Sequence, residues 1–176
     1  AIANNGIEIY ANKFTYNKNK KTLTANGAVK VIDKLKNITI ISETIIYNEL
    51  NQKITSYDFT KINIDRKYFI KTKNIHYDHL NGKIFTNFST ELVDLKNNKI
   101  KAQKFKYFLI DETIRGEMIE IIDIDKNEYF IKSGMVDLRK NLPQGKDVLV
   151  NLTPTEFEVP DAEPRIKGNS IYYGNQ

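Results

Sequence analysis

The 176-residue chain contains no cysteine and no tryptophan. Without thiols, cysteine-ligated metal sites are excluded, and the sequence carries no mark of its redox compartment. Proline is scarce, at four residues, and all four fall between 143 and 164. There are only two histidines. No stretch approaches the roughly 20 apolar residues of a membrane helix. No secretory leader is visible at Ala1, which suits a cytoplasmic chain or one already matured. No long helical periodicity appears. Neither does a glycine-rich phosphate loop, a nucleophile elbow or a triad-like arrangement. Enzymatic chemistry thus has nothing to rest on, and neither a cofactor nor a metal is expected.

What is present is a strand-forming composition. Hydrophobic residues make up 40% and charged residues 28% of the chain, which marks a folded globular chain rather than a disordered one. The bulky residues are mostly Ile, Tyr, Phe, Val and Thr, the set that prefers strands. The net charge of +5 fits a lysine-rich solvated surface, with an acidic partner such as phosphate-bearing lipid or nucleic acid as the alternative.

The tyrosines disclose a repeat. Tyr16, Tyr47, Tyr77 and Tyr107 lie 31, 30 and 30 residues apart. Five residues before each is a small side chain: Ala11, Ser42, Thr72 and Ala102. A fifth copy has Ser133 at the small position and Leu138 where the others have tyrosine. Two residues before each small one is Ile9, Ile40, Ile70, Ile100 or Ile131. Two before each tyrosine position is Phe14, Ile45, Ile75, Phe105 or Val136. The step from isoleucine to the small residue is two, so they share a face of a strand. The next step is three, which flips the parity. A β-bulge or sharp bend restores the core row. Recurring at one level in five strands, it predicts a sheet folded over along a line.

A second strand repeats with the same period. Leu23, Ile54, Ile84 and Ile114 correspond, and two residues on come Ala25, Ser56, Thr86 and Gly116. In "TLTANGAVKV", residues 22–31, Leu23, Ala25, Gly27, Val29 and Val31 alternate with polar neighbours, and the inward row is thin in the middle. Each unit is two strands of about ten residues, roughly 33 Å long, joined by turn-like segments such as "DKLKN" and "DHLNG". The pattern predicts an all-β stack, as a β-solenoid or an elongated jelly roll, with at least nine strands in residues 6–140. The inward row should include Ile9, Phe14, Tyr16, Ile40, Ile45, Tyr47, Ile70, Ile75, Tyr77, Phe105 and Tyr107, with Lys71 and Lys101 outside. From "NLPQGKD" onward the repeat is lost. "DVLVNL" can still pair as a strand, "TPTEFEVPDAEPRIKG" reads as an irregular connector, and "NSIYYGNQ" as the start of another strand.

The segments "IEIYANKFTYNKNKKTLTANGAVKVI", "ITIISETIIYNELNQKI" and "KIKAQKFKY" resemble the OstA-like domain of lipopolysaccharide-transport proteins, over about residues 6–140. That family includes the periplasmic bridge protein LptA, LptC and the N-terminal periplasmic domain of the outer-membrane assembly protein LptD. The connector "EPRIKGNSIYYGNQ" makes the last of these the nearest in appearance, although LptD proteins commonly carry cysteines that this sequence lacks. The resemblance implies residues 1–145 as an OstA-like β-jelly-roll domain (a β-taco of stacked antiparallel strands, two sheets forming a V-shaped groove). It makes 146–176 a terminal strand and connector toward a further region. It implies a non-enzymatic role on the periplasmic side of the outer membrane, holding lipid A acyl chains of lipopolysaccharide. The groove so implied is lined by Ile9, Ala11, Phe14, Tyr16, Val29, Val31, Ile40, Ile45, Tyr47, Ile54, Ile70, Ile75, Tyr77, Phe105 and Tyr107. Implied partners are LptA, adding a strand at the edge formed by Ile7, Ile9 and Ala11, and an LptE-like lipoprotein if the chain belongs to LptD. The alternatives are an LptA-like bridge protein and a structural or adhesive β-solenoid with a filled core.

Three other signals read as structural. In "HYDH", His76 is expected to face out and His79 to lie in a surface turn, so no metal pair forms. Asp123 and Asp125 in "IDIDKN" are expected to serve a turn rather than acid–base chemistry or Ca²⁺ binding. The tyrosine row is placed on the inner face rather than as a stacking platform for single-stranded nucleic acid.

Overall fold

The computed structural model describes residue 1, residues 5–153 and residues 165–172. Among the described residues there are fifteen strands and no helix. The first unit is β1 (Ile7–Tyr10), β2 (Lys13–Asn17) and β3 (Thr22–Asp33), followed by β4 (Ile38–Asn48). Six short strands come next: β5 (Lys53–Thr55), β6 (Phe59–Ile64), β7 (Tyr68–Lys73), β8 (His76–Asp78), β9 (Lys83–Phe85) and β10 (Thr90–Asp94). Five strands complete the stack: β11 (Lys99–Phe108), β12 (Thr113–Ile122), β13 (Glu128–Asp137), β14 (Leu142–Asn151) and β15 (Arg165–Ile171).

All pairings are antiparallel, and they show how one chain builds two layers. β3 pairs β1 along its second half and β2 along its first. β4 pairs β6 with its first half and β5 with its second. β6–β7–β10 continue one layer and β5–β8–β9 the other, and both rejoin on β11. The hydrogen-bonded path β4, β6, β7, β10, β11, β9, β8, β5 therefore returns on itself. Beyond β11, β12 to β15 pass through both layers unbroken. β14 runs across residue 145, so the stack continues past the expected domain boundary. β15 takes in Arg165–Gly168, which had read as connector; residues 154–164 lie outside the described ones.

The fold line lies where the two-then-three spacing put it. Ile40, Ile70 and Ile100 are buried while Lys71 and Lys101 are exposed. Registers shift between Asn26 and Val29 in β3, and between Lys101 and Lys106 in β11. Residues at this level enter the left-handed region: Ala28 at φ 49°, Lys104 at 47°, Met118 at 48° and Asp147 at 53°. Inward positions then resume at Ile45, Phe105 and Ile119, all buried.

The small residues at the fold line have two jobs. Where strands break, ladder bonds end, and buried hydroxyls take up polar backbone groups there. Ser42 Oγ and Ser56 Oγ lie 2.6 Å apart, and Thr60 Oγ1 lies 3.2 Å from the first and 3.0 Å from the second. Ser56 Oγ accepts from Asp58 N, and Thr86 Oγ1 donates to the Lys73 carbonyl. Where strands pass unbroken, the need is space. Gly116, Gly134 and Gly145 are cross-strand neighbours on β12, β13 and β14. A Cβ on Gly116 would lie 2.9 Å from the Gln103 carbonyl oxygen, and one on Gly134 closer still to that of Gln144.

Candidate functional site

The open side of the folded sheet is a mouth between two rows of loops. One row is 33–37, 64–68, 94–98 and 122–128; the facing row is 17–22, 48–53, 78–83, 108–113 and 137–142. The repeat tyrosines sit on the inner face just below it, where an amphipathic ring can lie on an apolar floor and offer its hydroxyl to a polar rim.

Over the first three intervals the rims are tied together. Asn5 Nδ2 donates to Tyr47 Oη at 3.2 Å and to Gln52 Oε1 at 2.9 Å. Tyr77 Oη donates to Asp33 Oδ2 at 2.5 Å, and His79 Nδ1 lies 2.7 Å from the same oxygen. Asp33 Oδ1 also accepts from the backbone N–H groups of Leu35 and Lys36. Lys36 Nζ donates to the His79 carbonyl. Further along, Tyr107 packs on Tyr68 with ring centroids 6.0 Å apart, and Tyr68 Oη donates 2.8 Å to Glu112 Oε2. Burial, reinforced by the Asp33 carboxylate, pushes the Tyr77 phenol well above its usual range. Burial does the same at Tyr107 and Tyr68. Beneath these ties the interior is filled. Ile45, Tyr47, Ile54, Ile70, Ile75, Tyr77 and Ile84 are all buried.

The fifth unit differs: the strand ladder puts Val136, not the expected Leu138, in line with the tyrosines, and Leu138 follows in the turn, where its N–H donates to the Glu112 carbonyl as those of His79 and Leu109 do to the carbonyls of Gln52 and Gly82. There the layers part and leave a cleft of about 220 Å³. Ile100, Ile121, Tyr129, Val136 and Pro143 supply apolar lining; Lys96, Asn98, Asp123, Asp125 and Asn141 supply polar lining. The Asp123 carboxylate is committed to its own loop, accepting from Asn127 N and Nδ2, as turn chemistry predicts. A second pocket of about 210 Å³ sits over the middle of the mouth. Its lining includes Lys36, Asp65, Lys67 and Glu112 as well as Tyr68 and Tyr107.

Several expected site residues stand elsewhere than expected. Phe14 and Tyr16 are 40% and 42% exposed. Their parity is right, since they pair Ala25 and Leu23 on the inner face, but β2 is the end of the stack and no further described strand covers them. Ala11, between β1 and β2, is half-buried. The remaining groove residues, Ile9, Val29, Val31, Ile40, Ile45, Tyr47, Ile54, Ile70, Ile75, Tyr77, Phe105 and Tyr107, are buried in a packed core rather than lining open space. His79 is not on the surface: it is 6% exposed, drawn in by Asp33. His76 does face outward, stacked on Phe85 at 4.9 Å between centroids. Burial and the neighbouring Lys53 hold its ring below the usual histidine range. At the expected partner edge, Ile7 and Ile9 are buried in side chain, and the Ile9 N–H donates to the Ala1 carbonyl on the side away from β3. That N–H therefore has a partner in this structure, contrary to expectation.

The tie partners Asn5, Asp33, Tyr68, His79 and Glu112 and the cleft residues Ile121, Tyr129 and Pro143 did not emerge from the sequence. The signal for the ties is faint: a polar or aromatic side chain 42 to 44 residues before its partner across the mouth. Among the described residues no group of acidic and histidine side chains could hold a metal ion, and no helix is long and apolar enough to cross a membrane.

Fold and site together define an all-β, two-layer chain with an apolar cleft at one end. No family model matches this chain, and no curated protein sequence matches it. Among solved structures it is similar to LptH of Pseudomonas aeruginosa, described as the LptA-homologous periplasmic component of the conserved lipopolysaccharide transport device. The two are 11% identical over 96% of this chain and 95% of that one, with a TM-score of 0.32.

Proposed function

We propose that this protein is a non-enzymatic carrier element of lipopolysaccharide transport that holds lipid A acyl chains between its two layers. The observation that carries the reading is the C-terminal cleft. Its floor of Ile100, Ile121 and Val136 is continuous with the core, while Lys96 and Asn141 offer polar contacts to a headgroup. Its volume is below the roughly 300–1,000 Å³ of ordinary small-molecule sites, so it suits a stretch of acyl chain rather than a whole lipid. The repeat and the "TANGAVKV" strand support the same reading through their resemblance to OstA-like domains. A bridge role like that of LptA is preferred to the N-terminal domain of LptD. β2 at one end and β15 at the other each pair on one side only among the described strands, so a strand can be added at either end.

The filled interior between β4 and β11 favours a second reading, a structural β-stack that carries nothing. Photo-crosslinking in cells separates the two. A photoreactive residue at Val136 or Ile121 should label lipopolysaccharide, and one at His76, on the outer face, should not. Labelling from all three positions, or from none, rules out the carrier reading.

A further inference from the structure

We propose that the two rims of the mouth form a docking edge for an anionic lipid bilayer. The turn tips Leu35, Leu50, Leu80, Leu95, Ile110 and Ile124 enter its headgroup region, and the cations beside them meet its phosphates. The proposal goes beyond the carrier reading, which concerns the interior, and either can fail without the other.

The six side chains are 60% to 82% exposed, and among the described residues no other large aliphatic side chain is exposed as far. All six lie in the two rows of turns that face each other across the mouth. Leu50, Leu80 and Ile110 hold one place on one rim at intervals of thirty residues, and Lys20 and Lys140 continue that column at its two ends. Leu35 and Leu95 hold matching places on the facing rim. Turn geometry does not ask for them. Tight turns favour Gly, Asn, Asp and Ser, and the capping is done by other residues: Asp33 Oδ1 accepts from Leu35 N, and Asn48 Oδ1 from Leu50 N. The aliphatic tips leave apolar surface in water, which a partner outside the chain would cover.

The charges favour one kind of partner. Asp33, Asp78, Asp94, Asp123 and Asp137 accept from backbone N–H groups of their own turns. Asp65 is paired with Lys67, and Glu49 and Glu112 accept from tyrosine hydroxyls. Lys18, Lys20, Lys21, Arg66, Lys96 and Lys126 are exposed on the same rims and form no ion pair among the described residues. Asp111 and Asp125 are the carboxylates left exposed against them. Single aliphatic tips with cations between them give a folded protein no continuous surface to pack on. A fluid bilayer takes up isolated apolar side chains, and its anionic headgroups attract the cations. Ile124 also lines the cleft, so docking brings the bilayer to the cleft.

The test is sedimentation of the full chain with vesicles of phosphatidylcholine, alone or with about a third phosphatidylglycerol. Wild type should bind the anionic vesicles at least about tenfold more tightly than the neutral ones. Ile110→Asp should weaken that binding about tenfold. Ile41→Asp, at an exposed isoleucine of β4 away from the mouth, should stay within about twofold of wild type. Because the chain has no tryptophan, Leu80→Trp supplies a single emitter. Its fluorescence should move to the blue on anionic vesicles and be quenched by brominated acyl chains, whereas that of Ile41→Trp should not. Equal binding to both kinds of vesicle, unchanged affinity in Ile110→Asp, or equal losses in Ile110→Asp and Ile41→Asp overturns the proposal. So does a dimeric chain in which Leu80→Trp is already blue-shifted without vesicles, since a second copy then covers the mouth. If Ile110→Asp does not fold, the two tryptophan variants decide. None of these outcomes changes the labelling of lipopolysaccharide from Val136 and Ile121, by which the carrier reading is judged.

Discussion

The tied units and the fifth unit share one strand pattern, yet their mouths are lined differently. In both, isoleucines at the same repeat positions face inward and the backbone folds along the same line. What separates them is polar. Between β4 and β11 the strands break at the fold line, hydroxyls bond around the breaks, and tyrosines, Asp33 and His79 cross the mouth. Beyond β11 the strands pass unbroken on a row of glycines, and Val136 stands in line with the tyrosines. The apolar row thus makes the stack, and a few polar side chains determine where its mouth is tied. The same division of labour holds in packed proteins generally, where burial supplies most of the stabilisation and buried hydrogen bonds select among arrangements.

The largest test of this contrast is a charge placed on the inner face. Ile75→Asp puts a carboxylate in the closed interior, where Ile75 is fully buried. The cost should exceed about 5 kcal/mol and unfold the protein. Ile124→Asp, at the lining of the cleft, should change stability by less than about 0.5 kcal/mol, because Ile124 is 63% exposed. It should nevertheless weaken capture of an apolar dye. Equal urea midpoints for the two variants would erase the distinction between closed and open regions.

The next test compares two loop carboxylates. Asp33→Ala removes the acceptor shared by Tyr77, His79 and two backbone N–H groups. Leaving those buried donors unpaired should cost about 3–5 kcal/mol. Asp123→Ala removes an acceptor that serves mainly its own turn and should cost about 1–2 kcal/mol. Urea denaturation of both variants measures the gap.

Much of the first half of this contrast could be read from residue spacing, and the second half could not. Ile40, Ile70 and Ile100 lie inside because an isoleucine two residues from a small one, then a step of three, admits few other foldings. The same parity placed Phe14 and Tyr16 on the inner face correctly but could not say that no strand would cover them, since covering depends on position in the stack. His79 was misplaced because turn residues have no parity. Its burial comes from Asp33, 46 residues away. The ties are hidden for the same reason: Asn5, Asp33 and Tyr68 share a place in space but not a residue type. The fifth unit was misaligned as well: the spacing put Leu138 in the column of tyrosines, whereas the strand ladder puts Val136 there, because β13 slips by two residues against the repeat.

Alkali should distinguish the tied units by a smaller margin. In the unfolded chain a tyrosine loses its proton near pH 10, whereas burial and the bond to Asp33 hold the Tyr77 proton well above that. Tyr68 and Tyr107 are shifted the same way, mainly by burial. Above pH 10 the folded state therefore binds more protons than the unfolded one. The stability contributed by these phenols is fully present below pH 10 and is lost as pH rises through their folded-state values. Tyr77→Phe should be about 1–2 kcal/mol less stable than wild type at pH 8, and the difference should shrink in alkali. Urea midpoints measured from pH 8 to pH 11 check this; parallel curves would mean that Tyr77 titrates normally.

The smallest effect is expected at the fold line itself, where the two regions solve one bend differently. In the unbroken strands the bend needs a residue in the left-handed region, and Met118 adopts it at φ 48° with its side chain largely in solvent. A β-carbon there costs roughly 1–2 kcal/mol, which glycine avoids, although glycine also gives the unfolded chain more freedom. Met118→Gly should therefore stabilise the protein by about 0.5–1 kcal/mol. At the same level of the broken strands, Ser56 serves through its hydroxyl, which Ser42, Thr60 and Asp58 N all contact. Ser56→Ala should destabilise by about 1–2 kcal/mol. Opposite signs in thermal melts of these two variants are the expected result. A loss of stability in both would show that the bend in β12 depends on the Met118 side chain rather than on the conformation of its backbone.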